Sequence, residues 1–260
     1  MKIIYIAGYG RSGSTILDII LSNQSSVIGL GEFTNIFYHL TTLEDNDEVW
    51  LDLKDHLGKS DLELIELDQI RKKSEAIFFG LFYRYLRKSN YEKYTQSIRT
   101  IFEYLQSHYK EKVFIDSSKT AWMQFNRPNI LKRLFTDVYV IQLERNFLDI
   151  LMSLKKGDNI KMEKNEKNVR ITLPILKLII GRVVSYIFML RNYSSEKYLL
   201  LSFQDLIDDP IHEIKRISRL VGHSFNESEQ KILNNDSLSI SLQFSGNRAR
   251  NEKKIFFQRK

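Results

Sequence analysis

Short, mainly apolar runs alternate along this chain with longer stretches in which apolar residues recur every three or four positions. The runs are Lys2-Ile3-Ile4-Tyr5-Ile6-Ala7, Lys112-Val113-Phe114-Ile115, Asp137-Val138-Tyr139-Val140-Ile141 and Lys197-Tyr198-Leu199-Leu200-Leu201. Each is bounded by a polar turn and carries no in/out alternation, which predicts strands buried on both faces of a parallel sheet. The helical pattern between them predicts right-handed crossovers. Together they predict a single α/β domain over 1–260 with a central parallel β-sheet flanked by helices. A helical insertion is expected over about 41–110, where Ile98, Ile101, Phe102 and Leu105, and before them Ile77, Leu81 and Tyr85, recur at core-facing spacing.

Two segments modify this outline. Leu173 to Leu190 is the longest apolar stretch, but Pro174, Lys177 and Arg182 interrupt it. Charges are costly at a bilayer centre, so a buried or half-buried helix is expected there in place of a membrane span. Residues 155–170 hold six basic and three acidic side chains, the signature of a solvated basic loop. With 260 residues and a hydrophobic fraction of 43% the chain has the material for a substantial core. The absence of cysteine excludes a disulfide framework and thiolate catalysis and fits a reducing, cytoplasmic setting. The first strand starts almost at Met1, so no secretory signal is expected. A net charge of +7 points to an anionic ligand or surface.

The candidate chemistry begins where the first apolar run ends. Gly8-Tyr9-Gly10-Arg11-Ser12-Gly13-Ser14-Thr15 leads into the helical pattern Ile16-Leu17-Asp18-Ile19-Ile20-Leu21. A strand, a glycine-containing loop and a helix start aim successive backbone N–H groups at an anion. The spacing is that of a Walker A loop, but Ser14 stands where its lysine would be and Arg11 carries the positive charge. The loop is therefore expected to cradle phosphate-like oxygens without ordinary ATP chemistry. After the third run, Arg145 and Ser153 lie eight residues apart, so a guanidinium at a strand end and a hydroxyl on the following helix can converge on one phosphate.

These segments together resemble the sulfotransferases that use 3′-phosphoadenosine-5′-phosphosulfate. Arg11-Ser12-Gly13-Ser14-Thr15, then Leu21-Ser22-Asn23-Gln24, then Gly31-Glu32 is similar to the corresponding stretch of tyrosylprotein and bacterial carbohydrate sulfotransferases. Asp116-Ser117-Ser118-Lys119 and Gly246-Asn247-Arg248-Ala249-Arg250 resemble two further segments of the bacterial members. The resemblance implies the P-loop NTPase-like sulfotransferase fold and transfer of a sulfuryl group to an acceptor hydroxyl on a carbohydrate or glycolipid. It implies that Ser12, Gly13, Ser14 and Thr15, with Arg11, hold the 5′ end of the donor nucleotide. Arg145 and Ser153, with Arg250 closing over them, would hold its 3′-phosphate. Glu32 would be the base for the acceptor hydroxyl, and Arg11 and Lys119 would stabilise the charge that develops. The scheme requires no metal. Its partners are a glycan, glycolipid or other hydroxyl-bearing acceptor and no nucleic acid, with peripheral membrane association as a further expectation. The chain departs from the family pattern where Phe147 and Arg248 stand in place of prolines.

Two competing readings stay open at this level. A P-loop kinase would use ATP and Mg²⁺, with Asp116 at the end of its apolar run as the metal ligand. A non-catalytic anion-binding scaffold would use the same loop without turnover. At single positions, Glu32 can serve as a helix N-cap, and Lys119 as a lysine in the first turn of a surface helix.

Overall fold

The computed structural model describes residues 1–10, 12–44, 47–76, 88–110, 112–120, 123–146, 149–150, 172–192, 195–240 and 242, with side chains described from 179 onward in the 172–192 helix. Five parallel strands form one sheet in the order β2-β3-β1-β4-β5. They are β1 (Lys2–Ala7), β2 (Val27–Gly29), β3 (Val113–Asp116), β4 (Asp137–Glu144) and β5 (Tyr198–Ser202). The register pairs Ile4 with Ile115 on one side of β1 and with Tyr139 on the other.

Four of these strands coincide with the apolar runs. The fifth, β2, was not predicted. Three residues emerging from Ser25-Ser26 are too few to display a period, and β2 forms because β3 supplies its ladder, Ile28 opposite Phe114.

Alternate residues of β1 enter two different cores. Ile3, Tyr5 and Ala7 face one layer with Phe114, Val138 and Val140, while Ile4 and Ile6 face the other with Ile115, Ile141 and Leu143. The first layer is covered by α2 (Ile36–His39), α3 (Glu48–Leu57), α4 (Asp61–Glu75), α5 (Lys88–His108), α6 (Arg127–Leu134) and α7 (Thr172–Asn192). The second is covered by α1 (Ser14–Ser22), α8 (Phe203–Asp208), α9 (Pro210–Val221) and α10 (Asn226–Leu233). Ile98, Ile101, Phe102 and Leu105 of α5 are all buried, as their spacing predicts; Ile77, Leu81 and Tyr85 lie outside the described residues.

Local chemistry sets the helix boundaries. Ser60 and Glu63 form a reciprocal capping box that opens α4. Asp209 caps α9 and Pro210 is its first residue, while Gly222 in the left-handed region closes it. Helix α7 is half-buried, as its interrupted apolar pattern implies. Val184, Ser185 and Phe188 face the core, and Ile179, Val183, Tyr186 and Leu190 form an exposed stripe. Among the described residues no helix is long and apolar enough to cross a membrane. The 155–170 loop lies outside the described residues.

The chain runs from β1 to one side of the sheet for β2 and β3, then returns past β1 to β4 and β5. The reversal falls beside β1, and a ligand crevice in an open α/β sheet forms at the carboxyl ends of the strands at such a point. All the described candidate residues lie on segments that leave those carboxyl ends.

Candidate active site

The loop after β1 is built to leave donors open. Gly13 adopts φ 99° as the residue preceding α1, and its side-chain-free position makes no cap bond. Its carbonyl accepts the amides of Ile16 and Leu17 at 3.0 and 3.1 Å. Among the described residues the amides of Ser14 and Thr15 in the first helical turn have no backbone acceptor, as is usual at a helix start. Ser12 is fully buried, and its hydroxyl has no hydrogen-bond partner among the described residues. A buried orphan hydroxyl beside open amides is the donor set an oxyanion fits. Arg11, expected to add the positive charge, lies outside the described residues.

Phe203, the first residue after β5, contributes its ring to the site. A Cβ on Gly13 would run into its ring. On the ring's other contact, the Arg145 guanidinium lies 4.6 Å from its centroid. Arg145 follows directly after β4, is half-buried, and accepts a hydrogen bond on its carbonyl from the Tyr9 hydroxyl at 2.8 Å. Phe203 and Tyr9 thus tie the loop after β1 to the exit of β4. Burial pushes the Tyr9 phenol up, which keeps it a neutral donor. Ser153 and Arg250, the other residues expected at the 3′ end, lie outside the described residues.

On the other side of β1, the exits of β2 and β3 bring Glu32 and Lys119 together as an ion pair, Lys119 Nζ donating to Glu32 Oε1, about three-quarters buried. Glu32 does not act as a cap, since it precedes the turn Phe33–Asn35 without a side-chain cap bond. Lys119 is not in a helix. Its φ is +68°, a left-handed conformation costing a non-glycine residue about 1–2 kcal/mol. Such strain persists where the surroundings over-determine it. Here the Tyr5 hydroxyl donates to the Lys119 carbonyl. The Lys119 amide donates to Ile6 O at 3.2 Å, and the Thr120 amide to Gly8 O at 2.7 Å. Thr120 Oγ1 also accepts from the Gly8 amide at 3.1 Å. Lys119 and Thr120 are therefore stitched to the end of β1 and to the first residue of the glycine loop, respectively. Burial, with Asp116 nearby, raises the Tyr5 phenol well above its usual range and keeps its proton available for the bond.

Asp18 of α1 fastens these pieces to the loop's helix. Its Oδ2 accepts from the Gly31 amide at 3.2 Å and the Ser117 hydroxyl at 2.7 Å. Gly31, at φ +70°, makes the left-handed turn that sends Glu32 toward the site. No sequence pattern identified Asp18, although an acid in the middle of an apolar helix at 0% exposure is the signal that could have done so.

Asp116, the metal ligand required by the kinase reading, is fully committed elsewhere. Its Oδ2 accepts from Arg127 Nε at 2.7 Å, and its Oδ1 from the Ser118 amide at 3.0 Å and from the Ser118 hydroxyl. Burial pushes its carboxyl up, and Arg127 and Ser118 oppose that shift. Both oxygens of this carboxylate are occupied within the protein, which removes the strongest feature favouring ATP with Mg²⁺.

A family model described as "Sulfotransferase family" matches residues 4–227. Among solved structures, the sulfotransferase domain from the curacin biosynthetic pathway aligns with a TM-score of 0.57 at 16% identity, over 98% of this chain and 83% of that one. The sulfotransferase domain of the Synechococcus PCC 7002 olefin synthase gives 0.53 at 20% identity, over 98% and 84%. The Mycobacterium avium sulfotransferase STF9 gives 0.52 at 14%, over 90% and 67%. At these identities the likeness is one of fold. No curated protein sequence matches the chain.

Proposed function

The chain belongs to the sulfotransferase family, and from that premise we propose that it transfers a sulfuryl group from 3′-phosphoadenosine-5′-phosphosulfate to a sugar hydroxyl of a glycan or glycolipid. The acceptor oxygen bonds to sulfur as the bond from sulfur to the bridging phosphate oxygen breaks. The bridging oxygen keeps the electron pair and leaves in adenosine 3′,5′-bisphosphate. Glu32 takes the proton of the acceptor hydroxyl, and the Lys119 ammonium neutralises the charge that grows on the bridging oxygen. Ser12, Gly13, Ser14 and Thr15, with Arg11, hold the 5′ end through amides and hydroxyls. Arg145, Ser153 and Arg250 hold the 3′-phosphate. The domain acts as one unit, with the helices of 41–110 and the 155–170 loop shaping the acceptor cleft. We assign its action to the cytoplasm, a setting the cysteine-free sequence suits, with peripheral association at a membrane when the acceptor is a glycolipid.

The observation that carries this reading is the Glu32–Lys119 pair, anchored by backbone hydrogen bonds to Ile6 and Gly8 at the mouth of the phosphate loop. A carboxylate and an ammonium beside an anion-binding loop are the two charges an in-line sulfuryl transfer needs. The test is Glu32→Gln assayed with ³⁵S-labelled donor on a panel of oligosaccharides and glycolipids. Turnover should fall about 10²–10⁴-fold, the usual range for a general base, while affinity for adenosine 3′,5′-bisphosphate is kept. Full activity in that variant would remove Glu32 from the chemistry. Stabilisation by ATP with Mg²⁺ but not by the bisphosphate in a thermal-shift measurement would overturn the donor assignment; a ligand held at 100 times its Kd contributes about 2.7 kcal/mol.

A further inference from the structure

Beneath the Glu32–Lys119 pair lies a closed ring of five buried side chains drawn from four separate elements. Thr34, two residues beyond Glu32, donates its amide to Ser118 Oγ at 2.8 Å. Ser118, one residue before Lys119, donates that hydroxyl to Asp116 Oδ1. Asp116 Oδ2 accepts from Arg127 Nε, and Arg127 Nη1 donates to Glu75 Oε1, both at 2.7 Å. Glu75 Oε2 closes the circuit by accepting from Thr34 Oγ1 at 2.7 Å. None of the five is more than 3% exposed. Arg71 braces the ring from outside, donating to Thr34 Oγ1 at 2.8 Å, and Tyr94 donates to Glu75 Oε1 at 2.5 Å.

The ring has more polar machinery than packing requires, because a buried ion pair is generally no more stabilising than well-packed apolar side chains of the same volume. Its placement is what distinguishes it. Among the described residues, the segment carrying the carboxylate and the segment carrying the ammonium meet through the ion pair itself, through the Ser117 amide donating to Gly31 O at 2.9 Å, and through the bond from the Thr34 amide to Ser118 Oγ. Ser118 Oγ has a single proton, directed to Asp116, and an oxygen lone pair, directed to Thr34. Alanine at this position breaks both bonds at once and leaves the Thr34 amide without its acceptor.

We propose that Ser118 is a positioning residue for sulfuryl transfer, holding Glu32 and Lys119 at their working separation by closing this buried ring. The proposal rests on the reading that Glu32 takes the acceptor proton. It predicts an effect on turnover that does not extend to nucleotide binding, since the ring touches neither the amides of Ser14 and Thr15 nor Arg145.

The experiment uses the full chain with water as the acceptor, so that no glycan need be identified. Release of ³⁵S-sulfate from the labelled phosphosulfate nucleotide gives kcat and KM, and calorimetry gives the Kd of adenosine 3′,5′-bisphosphate. Ser118→Ala should lower kcat about 10–100-fold and change the bisphosphate Kd by less than about threefold, the pattern of a lost transition-state arrangement. Ser118→Thr, which keeps the hydroxyl, should restore most of the rate. Combined with Glu32→Gln, Ser118→Ala should cost less than about twofold more, because residues acting as a unit are non-additive. A crystal structure of Ser118→Ala should show the Lys119 ammonium moved off Glu32. An unchanged kcat, a bisphosphate Kd weakened in proportion to kcat, an undiminished effect in the Glu32→Gln background, or an unmoved ion pair each overturns the proposal. If Ser118→Ala does not fold, Ser118→Cys, whose thiol is a weaker donor and acceptor than the hydroxyl, is judged by the same kinetic split and the same structure. Full activity of Glu32→Gln by itself defeats the base assignment and not the positioning role, which the ion-pair geometry of Ser118→Ala then decides alone.

Discussion

The two flanks of β1 solve the same problem with different chemistry. On the β3 side, the exits of β2 and β3 are locked by full charges: Asp116, Arg127 and Glu75, all at or near 0% exposure. Burial by itself would lower the Arg127 pKa, but the two carboxylates outweigh it and hold the guanidinium charged. On the β4 side the fully buried contacts are neutral, and the carboxylate that Gln142 reaches, Glu144 Oε1 at 3.4 Å, is only half-buried. Gln142 donates to Ser185 O and Oγ at 3.1 Å and accepts from the Tyr198 hydroxyl at 2.9 Å. Arg145 beyond them rests against the aromatic face of Phe203. The difference follows what each flank must hold. A reacting carboxylate and ammonium need one fixed separation, for which charged hydrogen bonds are the stiffest available.

Four substitutions break or sharpen this contrast. Arg127→Met should have the largest effect, because it strands two buried carboxylates. About 3–5 kcal/mol of stability should be lost, measured by urea unfolding, and a loss under about 1 kcal/mol would mean the charges on this flank do little. Gly13→Ala comes next. It forces a side chain into φ 99° against the Phe203 ring, and overpacking of this kind costs about 1–3 kcal/mol. Calorimetry should show the lowered Tm, and Phe203→Leu in the same chain should relieve part of it. Arg145→Ala should leave stability nearly untouched while weakening bisphosphate binding by about 10–100-fold, since a hydrogen bond to a charged group contributes about 1.5–3 kcal/mol. Unchanged affinity in titration calorimetry would take Arg145 out of the nucleotide site. Tyr198→Phe should be mildest, costing about 1 kcal/mol for one neutral hydrogen bond. An effect approaching that of Arg127→Met would erase the distinction between the flanks.

Local pattern carried the sequence reading a long way and then stopped for a definable reason. The strands β1, β3, β4 and β5 and the loop between β1 and α1 are contiguous stretches, so hydrophobicity and glycine spacing reveal them. Glu32 and Lys119 were visible only as parts of short segments, Gly31-Glu32 and Asp116 to Lys119, and nothing local says that they touch. Glu75 illustrates the limit most sharply. On α4, among Lys72, Lys73 and Glu66, it reads as one more charge on a solvated face, yet it is completely buried. Its partners Thr34, Tyr94 and Arg127 come from elsewhere in the chain. Asp116 shows the converse. Its position at a strand end suggested a metal ligand, and a guanidinium brought in by tertiary packing changed its role. The left-handed backbone of Lys119 was equally hidden, because a Ser-Ser-Lys-Thr stretch contains no glycine to announce it.

The ring of Thr34, Ser118, Asp116, Arg127 and Glu75 also imposes an order of events on a growing polypeptide. Arg127 is synthesised 52 residues after Glu75, and until it arrives the glutamate's charged partner is Arg71 of its own helix, at 3.5 Å. The charge pairing beneath the exits of β2 and β3 is therefore complete only once α6 docks. Closing so long a loop is slow relative to forming a helix, so the centre that handles the acceptor is among the last parts of the molecule to become solid.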